Sequence, residues 1–176
     1  IPADTETLRT LCDDCDILLI EDCAHVIPDE DGPADIGTRG DAMILSFGRD
    51  KAISGVSGGA AIVRAEKLKE PLHVQEKTAI DLPKSIIRRL LLYPLLYGFA
   101  RPRYGGLGKL VLTLAGKLGF LVPIVTPEEK HGTMSARLHT LPNACAQLAL
   151  DQWKRLYSFN AHRRGLVSFY LQDAIR

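Results

Sequence analysis

Three short apolar runs, each closed by acids, glycine or a basic residue, constrain this chain most: DILLIED at 16–22, AMILSF at 42–47 and GGAAIVR at 58–64. Four to six apolar residues between turn signals are strand-length, and a run such as Ile17–Ile20 has the pattern of a strand buried on both faces. Pro28, Gly32, Pro33, Gly37 and Gly40 crowd the stretch between the first two runs. That content predicts a long loop or a hairpin there rather than a crossover helix. Ahead of the runs, Leu8, Leu11, Cys12 and Cys15 fall at i, i+3, i+4 and i+7 behind Asp4. This is the stripe of a short helix with an aspartate N-cap. The set reads as part of an α/β sheet, with functional groups expected at the strand ends.

Bulk properties exclude several classes. With 46% hydrophobic residues, 24% charged residues and a formal net charge of +1, the chain is neither disordered by composition nor a nucleic-acid binder by global charge. The opening IPADTETLRTL has neither the basic head nor the apolar stretch of a secretory leader and does not start with methionine, so the chain reads as a piece of a longer protein. Four irregularly spaced cysteines favour a reducing, cytoplasmic setting over a disulfide scaffold. Cys12 and Cys15 form a C-x-x-C, but no second C-x-x-C accompanies it. The helical stripe makes core packing the better reading of the pair, and no metal site is expected. The short DEDG at 29–32 lacks the further ligands of a calcium loop and reads as a hairpin tip.

Composition divides the chain into blocks 1–70, 71–141 and 142–176. The middle block holds a segment, Leu82 to Pro127, with seven Lys and Arg residues and no Asp or Glu. Its longest charge-free run, Leu90 to Ala100, is well short of the roughly 20 residues a spanning helix needs. Pro94, Gly98, Pro102 and Gly105–Gly106 are expected to break it into short helices or turns. From Pro142 onward, Ala146, Ala149, Leu150, Trp153, Leu156 and Tyr157, then Val167, Tyr170, Leu171 and Ala174, recur at the spacing of one long amphipathic helix.

Asp22 ends the first strand run, and Lys51 follows the second after Ser46. Alone, each is ordinary: a strand-end aspartate is usually a loop cap, and a loop lysine is usually solvated. Together with the glycines 55, 58 and 59 they are more specific. A carboxylate facing a ring nitrogen, a hydroxyl facing a phosphate and a lysine able to form an imine are what pyridoxal phosphate requires.

LLIEDCAH followed by GTRGDAMILSFGRDKAISGVSGGAAIV resembles the signature of the DegT/DnrJ/EryC1/StrS aminotransferases, the sugar-aminotransferase branch of fold-type-I pyridoxal-phosphate enzymes. The tail LPNACAQLALDQWKRLYSFNAHRR is similar to that family's later helix. The resemblance implies that block 1–70 is part of the cofactor-binding large domain, a mixed sheet with flanking helices. It makes 71–141 a variable insert and 142–176 the lead into a smaller C-terminal domain. It implies Lys51 as the Schiff-base lysine and proton shuttle, Asp22 as partner of the pyridinium nitrogen and His25 as a hydrogen-bond partner of the ring's phenolic oxygen. Ser46 would bind the phosphate, and Ala24 would leave room beneath the ring. The implied reaction is transfer of an amino group from an amino acid, glutamate being the usual donor, to a nucleotide-linked keto-sugar by a homodimer. The stretch SARLHTLPN departs from the family pattern, lacking the asparagine and arginine of the usual G-x-N-x-R. A divergent binding or regulatory protein is the alternative, and the basic segment 84–117 adds the expectation of peripheral membrane contact.

Overall fold

The computed structural model describes residues 3–29, 31, 36–125, 130–133 and 138–174, with side chains to residue 172. Helix α1 (Thr5–Asp14) starts where the sequence predicts. Asp4 caps it, Oδ1 accepting the Thr7 N–H at 3.1 Å and Oδ2 the Thr7 hydroxyl at 2.8 Å. The stripe behind the cap is not buried. Leu8, Leu11 and Cys15 are exposed and Cys12 is half-buried, which corrects the expectation of core cysteines. No described apolar surface faces this side, and a polar clasp fastens the helix instead. Arg9 Nη1 donates to Asp41 Oδ2 at 2.8 Å, and the same oxygen accepts the Leu19 N–H at 2.8 Å. The Arg9 guanidinium, then the Leu19 N–H, hold the Asp41 carboxyl below the ordinary carboxylate value.

Strands β1 (Ile20–Asp22), β2 (Ala42–Ser46) and β3 (Gly59–Val63) form a three-stranded sheet in that order, β1 parallel and β3 antiparallel to β2. The expected mixed sheet with flanking helices is therefore present. The first strand is shorter than its apolar run and buried on one face only: Glu21 is buried, while Ile17 and Ile20 are more than half exposed. Alternation explains the difference. Asp22 pairs with Ile44, so these two and Ser46 share the open face, while Glu21, Met43 and Leu45 point into the protein.

Parallel pairing also excludes a hairpin between β1 and β2, because the chain must cross back to the same end of the sheet. The described part of the crossing consists of turns, and a buried carboxylate organises it. Glu21 accepts the N–H of Gly37 at 2.8 Å, of Arg39 at 2.8 Å and of Gly40 at 2.6 Å. Arg64, just past β3, donates to the carbonyls of Gly40 and Gly37. Asp29 and Asp31 are accordingly not at a hairpin tip; Glu30 and Gly32 lie outside the described residues.

Helix α2 (Glu66–Thr78) follows β3, and α3 (Lys84–Ala100) runs unbroken through Pro94 and Gly98. Those residues do not break the middle block as expected. Pro94 is exposed and has no N–H to give the Leu90 carbonyl, yet the helix continues past it, with Leu90 and Tyr93 held by packing. The break comes at Pro102, in a tight turn (Arg101–Arg103) and a wider one (Tyr104–Gly108) leading into α4 (Lys109–Lys117). At this corner Gly108 abuts the Ala100 carbonyl so closely that a Cβ has no room.

The predicted single C-terminal helix is two, α5 (Asn143–Trp153) and α6 (Leu156–Ala174), separated by a turn at Lys154–Arg155. Asp151 pairs with both turn residues, at 3.7 and 3.5 Å. Ala149 and Leu156 join Cys23, Met43, Leu45 and Ile53 in the core, whereas Trp153, Tyr157 and Tyr170 stay exposed.

Replacing Glu21 by alanine leaves three N–H groups of the crossing loop without their acceptor. A cost of about 2–3 kcal/mol is expected in urea-unfolding equilibria; an unchanged midpoint would show that the loop does not depend on this carboxylate.

Candidate active site

β2 delivers the chain into the loop that carries Lys51. Beyond Ser46, Phe47 is buried; its N–H donates to the Gly58 carbonyl at 2.8 Å, and its carbonyl accepts the Gly55 N–H at 2.9 Å. Residues 48–54 are thus a closed excursion pinned at its base. Within it the Lys51 side chain is only 16% exposed, and Nζ lies 4.0 Å from Asp50 Oδ2. It meets His25 Nε2, from the turn after β1, at 3.1 Å. At that distance the two nitrogens are hydrogen-bonded, the ammonium donating to a ring nitrogen that carries no proton.

Asp22 ends β1 on the open face of the sheet, and its Oδ1 accepts the Ala24 N–H at 2.9 Å. This bond shapes the turn that presents His25. Ser46 Oγ accepts the Gly48 N–H over a long 3.4 Å, which leaves its hydroxyl proton available to a ligand. Ser46 and Lys51 line a cavity of about 440 Å³ together with Arg49, Ser57 and Gly58. Its other wall is Leu90 and residues 122–125 from the middle block. Asp22, Ala24 and His25 lie outside this lining, and the His25–Lys51 contact connects the two groups. A larger cleft of about 920 Å³, between β2–β3 and α2, contains none of the predicted site residues.

Sequence reasoning missed the residues that hold this site together. Arg49, which the sequence does not single out, stacks its guanidinium 4.0 Å from the centre of the Tyr93 ring and donates to the Val122 carbonyl at 2.8 Å. Burial pushes it below the ordinary arginine value. Arg89 donates to the neighbouring Leu121 carbonyl at 3.1 Å. Two arginines thus fasten the 121–122 segment against α3 and the lysine loop, making it a wall of the cavity.

The tail secures the same loops from the other side. Gln152 accepts the Ser54 N–H at 2.9 Å and donates to the Ser54 carbonyl at 3.0 Å. A Cβ on Gly55 would sit 2.6 Å from the Cys145 carbonyl, so only glycine lets the loop lie this close to α5. Asn160 donates to the Ile27 carbonyl at 3.1 Å, and Arg164 grips both oxygens of Asp29, at 2.9 and 3.1 Å. The N-x-x-R-R pattern of the tail therefore anchors the turn after His25. Cys23 and Cys145 are buried, and burial pushes both thiols up, away from nucleophilic use. Among the described residues no cluster of His, Cys, Asp and Glu is arranged to hold a metal ion.

Residues 1–85, which include Asp22, Ala24, His25, Ser46 and Lys51, match the model of the DegT/DnrJ/EryC1/StrS aminotransferase family. Over those residues the chain is similar to this family. It is 36% identical over 63 residues to GDP-perosamine synthase of Vibrio cholerae, a match covering 36% of this chain and 17% of that protein. The crystal structure of DesI with its TDP-sugar product is 30% identical, with a TM-score of 0.36, over 47% of this chain and 21% of that one. The chain thus spans about a fifth of the length of either relative. Residues 135–137 of SARLHTLPN, the departure from the family pattern, lie outside the described residues.

Replacing Arg49 by methionine keeps bulk but removes the hydrogen bond to Val122 and the cation over Tyr93. Amide exchange across residues 118–125 should quicken by roughly tenfold, the equivalent of one such bond with a charged donor. Lys51 should also become more reactive toward an amine-modifying reagent. Unaltered exchange and reactivity would mean the wall stands without the clamp.

Proposed function

We propose that this family-like segment supplies the lysine-bearing edge of a pyridoxal-phosphate-dependent aminotransferase. The acceptor in this reading is a nucleotide-linked keto-sugar, and the donor is an amino acid, glutamate by preference. The observation that carries it is the 3.1 Å contact between Lys51 Nζ and His25 Nε2 at the ends of two adjacent parallel strands. The family match over residues 1–85 and the relative named for GDP-perosamine support the substrate class.

The donor set fits pyridoxal phosphate or its amine form. Lys51 is shielded, the Ser46 hydroxyl borders the same cavity, and Asp22 commits one carboxylate oxygen to Ala24 while the other has no hydrogen bond among the described residues. When bound, the group supplies an electron sink for charge developing at the substrate's α-carbon. Lys51 would hold and move the proton, and His25, in contact with that lysine, would hydrogen-bond the ring's phenolic oxygen. Asp22 keeps a ring nitrogen protonated by placing a negative charge beside it. Ser46 donates to a phosphate oxygen, and the small Ala24 side chain keeps the floor of the site low. Gly48 and Gly58 bring bare backbone to the cavity.

In the same reading, block 1–70 belongs to the cofactor-binding domain, 71–141 is an insert that walls the lysine cavity, and 142–176 leads into the smaller domain. The working unit is a cytoplasmic homodimer. A non-catalytic, regulatory role is the competing reading. The shielded lysine paired with a second base argues against it, since a binding protein gains nothing from keeping that pair.

Full-length protein mixed with pyridoxal phosphate should develop an absorbance band near the visible edge, and Lys51→Ala should lose it. Amino transfer to a nucleotide-linked keto-sugar should fall by about 10³-fold in the same variant. A wild type that takes up no cofactor, or a variant that keeps the band, contradicts the assignment.

A further inference from the structure

The hairpin formed by α3 and α4 does more than wall the cavity. Its inner surface is accounted for: Ala100, Gly108 and Ala115 are buried, and Leu90 and Tyr93 pack toward the lysine loop. Its outer surface is not. Leu107, Leu110, Leu114 and Leu118 recur at helical spacing along α4 and its ends, and all four are exposed, Leu118 to 69%. On the outgoing arm, Leu95 is 71% exposed and Phe99 lies one turn further, also exposed. Single exposed apolar side chains are ordinary, but a row of four leucines at helical spacing is the pattern of a contact surface.

The charges on this hairpin are all of one sign. Arg101, Arg103, Lys109 and Lys117 surround the leucine stripe, and the whole segment from Leu82 to Pro127 has no carboxylate to neutralise them. No ion pair among the described residues engages any of the four. A second copy of the same face would bring like charges together, so self-association through it is opposed. A nucleotide diphosphate would satisfy the cations but has no use for a row of leucines. An anionic bilayer satisfies both: leucines and aromatic rings enter the boundary between headgroups and acyl chains while Lys and Arg stay at the phosphates. No described helix is long and apolar enough to cross a membrane.

We propose that the α3–α4 hairpin is an interfacial anchor. It lies on an anionic lipid surface through the Leu107–Leu118 stripe, Leu95 and Phe99, with Arg101, Arg103, Lys109 and Lys117 on lipid phosphates. Because 121–122 is bolted to Arg49 and Arg89, the anchor is continuous with the wall of the Lys51 cavity. The site is thereby held close to the membrane, where an amphiphilic substrate or a membrane-bound consuming enzyme would be met. The proposal does not depend on the reaction assigned above.

Full-length protein is centrifuged with phosphatidylcholine vesicles with and without about 30% phosphatidylserine. It should pellet with the anionic vesicles only, and less so as salt is raised. Replacing Arg101, Arg103, Lys109 and Lys117 by glutamine should weaken the partition by roughly fivefold per charge removed. Leu110→Gln with Leu114→Gln should release the protein although every charge remains. These side chains are exposed, so circular dichroism and cofactor uptake should be unaltered. Protein that stays in the supernatant, or variants that pellet like wild type, overturn the proposal. So does a leucine variant whose sedimentation without lipid differs from wild type, because a protein surface would then be covering the stripe.

Discussion

Glu21 sits in the middle of β1 with its carboxylate turned inward, and three backbone N–H groups of the crossing loop converge on it. Burying a charged carboxylate is costly unless such donors replace water, and here they do. The bond set fixes where the chain returns, which lets β2 lie parallel to β1. Parallel pairing places both strand ends at the same edge of the sheet, and only then can the turn after Asp22 and the loop after Ser46 bring His25 and Lys51 together. Each functional contact described above descends from that geometry.

The remaining structure immobilises these two loops from opposite sides. Gln152, Asn160 and Arg164 reach from α5 and α6 to Ser54, Ile27 and Asp29, while Arg49 and Arg89 reach to the 121–122 segment. These are side chain to backbone bonds or a bidentate ion pair, which fix position more strictly than apolar packing does. The proposed role of Lys51 would need such positional control, because small displacements cost large factors in rate. The apolar core beneath is small, and several large hydrophobic side chains of α1, α4 and α6 are exposed.

Local chemistry made some of this legible in the sequence. The Asp4 cap needs only Thr7, three residues away, and the apolar runs needed only their own composition to read as strands. Burial was harder, because Ile17–Ile20 is apolar throughout yet only Ile20 enters the sheet, on its open face, so Ile17 and Ile20 stay exposed. Pro94 marks a break by local rules, but α3 continues past it, because Leu90 and Tyr93 are held by packing that the local sequence does not reveal. Asp22, His25, Ser46 and Lys51 stood out because acid, hydroxyl and amine at strand ends suit a known chemistry and resemble a known family. Arg49 was invisible for the opposite reason: its neighbours in sequence are polar, and its burial comes from Tyr93 and Val122, far along the chain.

The central claim is that Lys51 is the amine to which pyridoxal phosphate becomes attached. Full-length protein should be loaded with the cofactor, reduced with borohydride, digested and mapped by mass spectrometry. The account predicts the added pyridoxyl mass on the peptide containing Lys51 and on no other lysine peptide at comparable yield. A label on a different lysine, or an unmodified Lys51 peptide under conditions that load the protein, would contradict it.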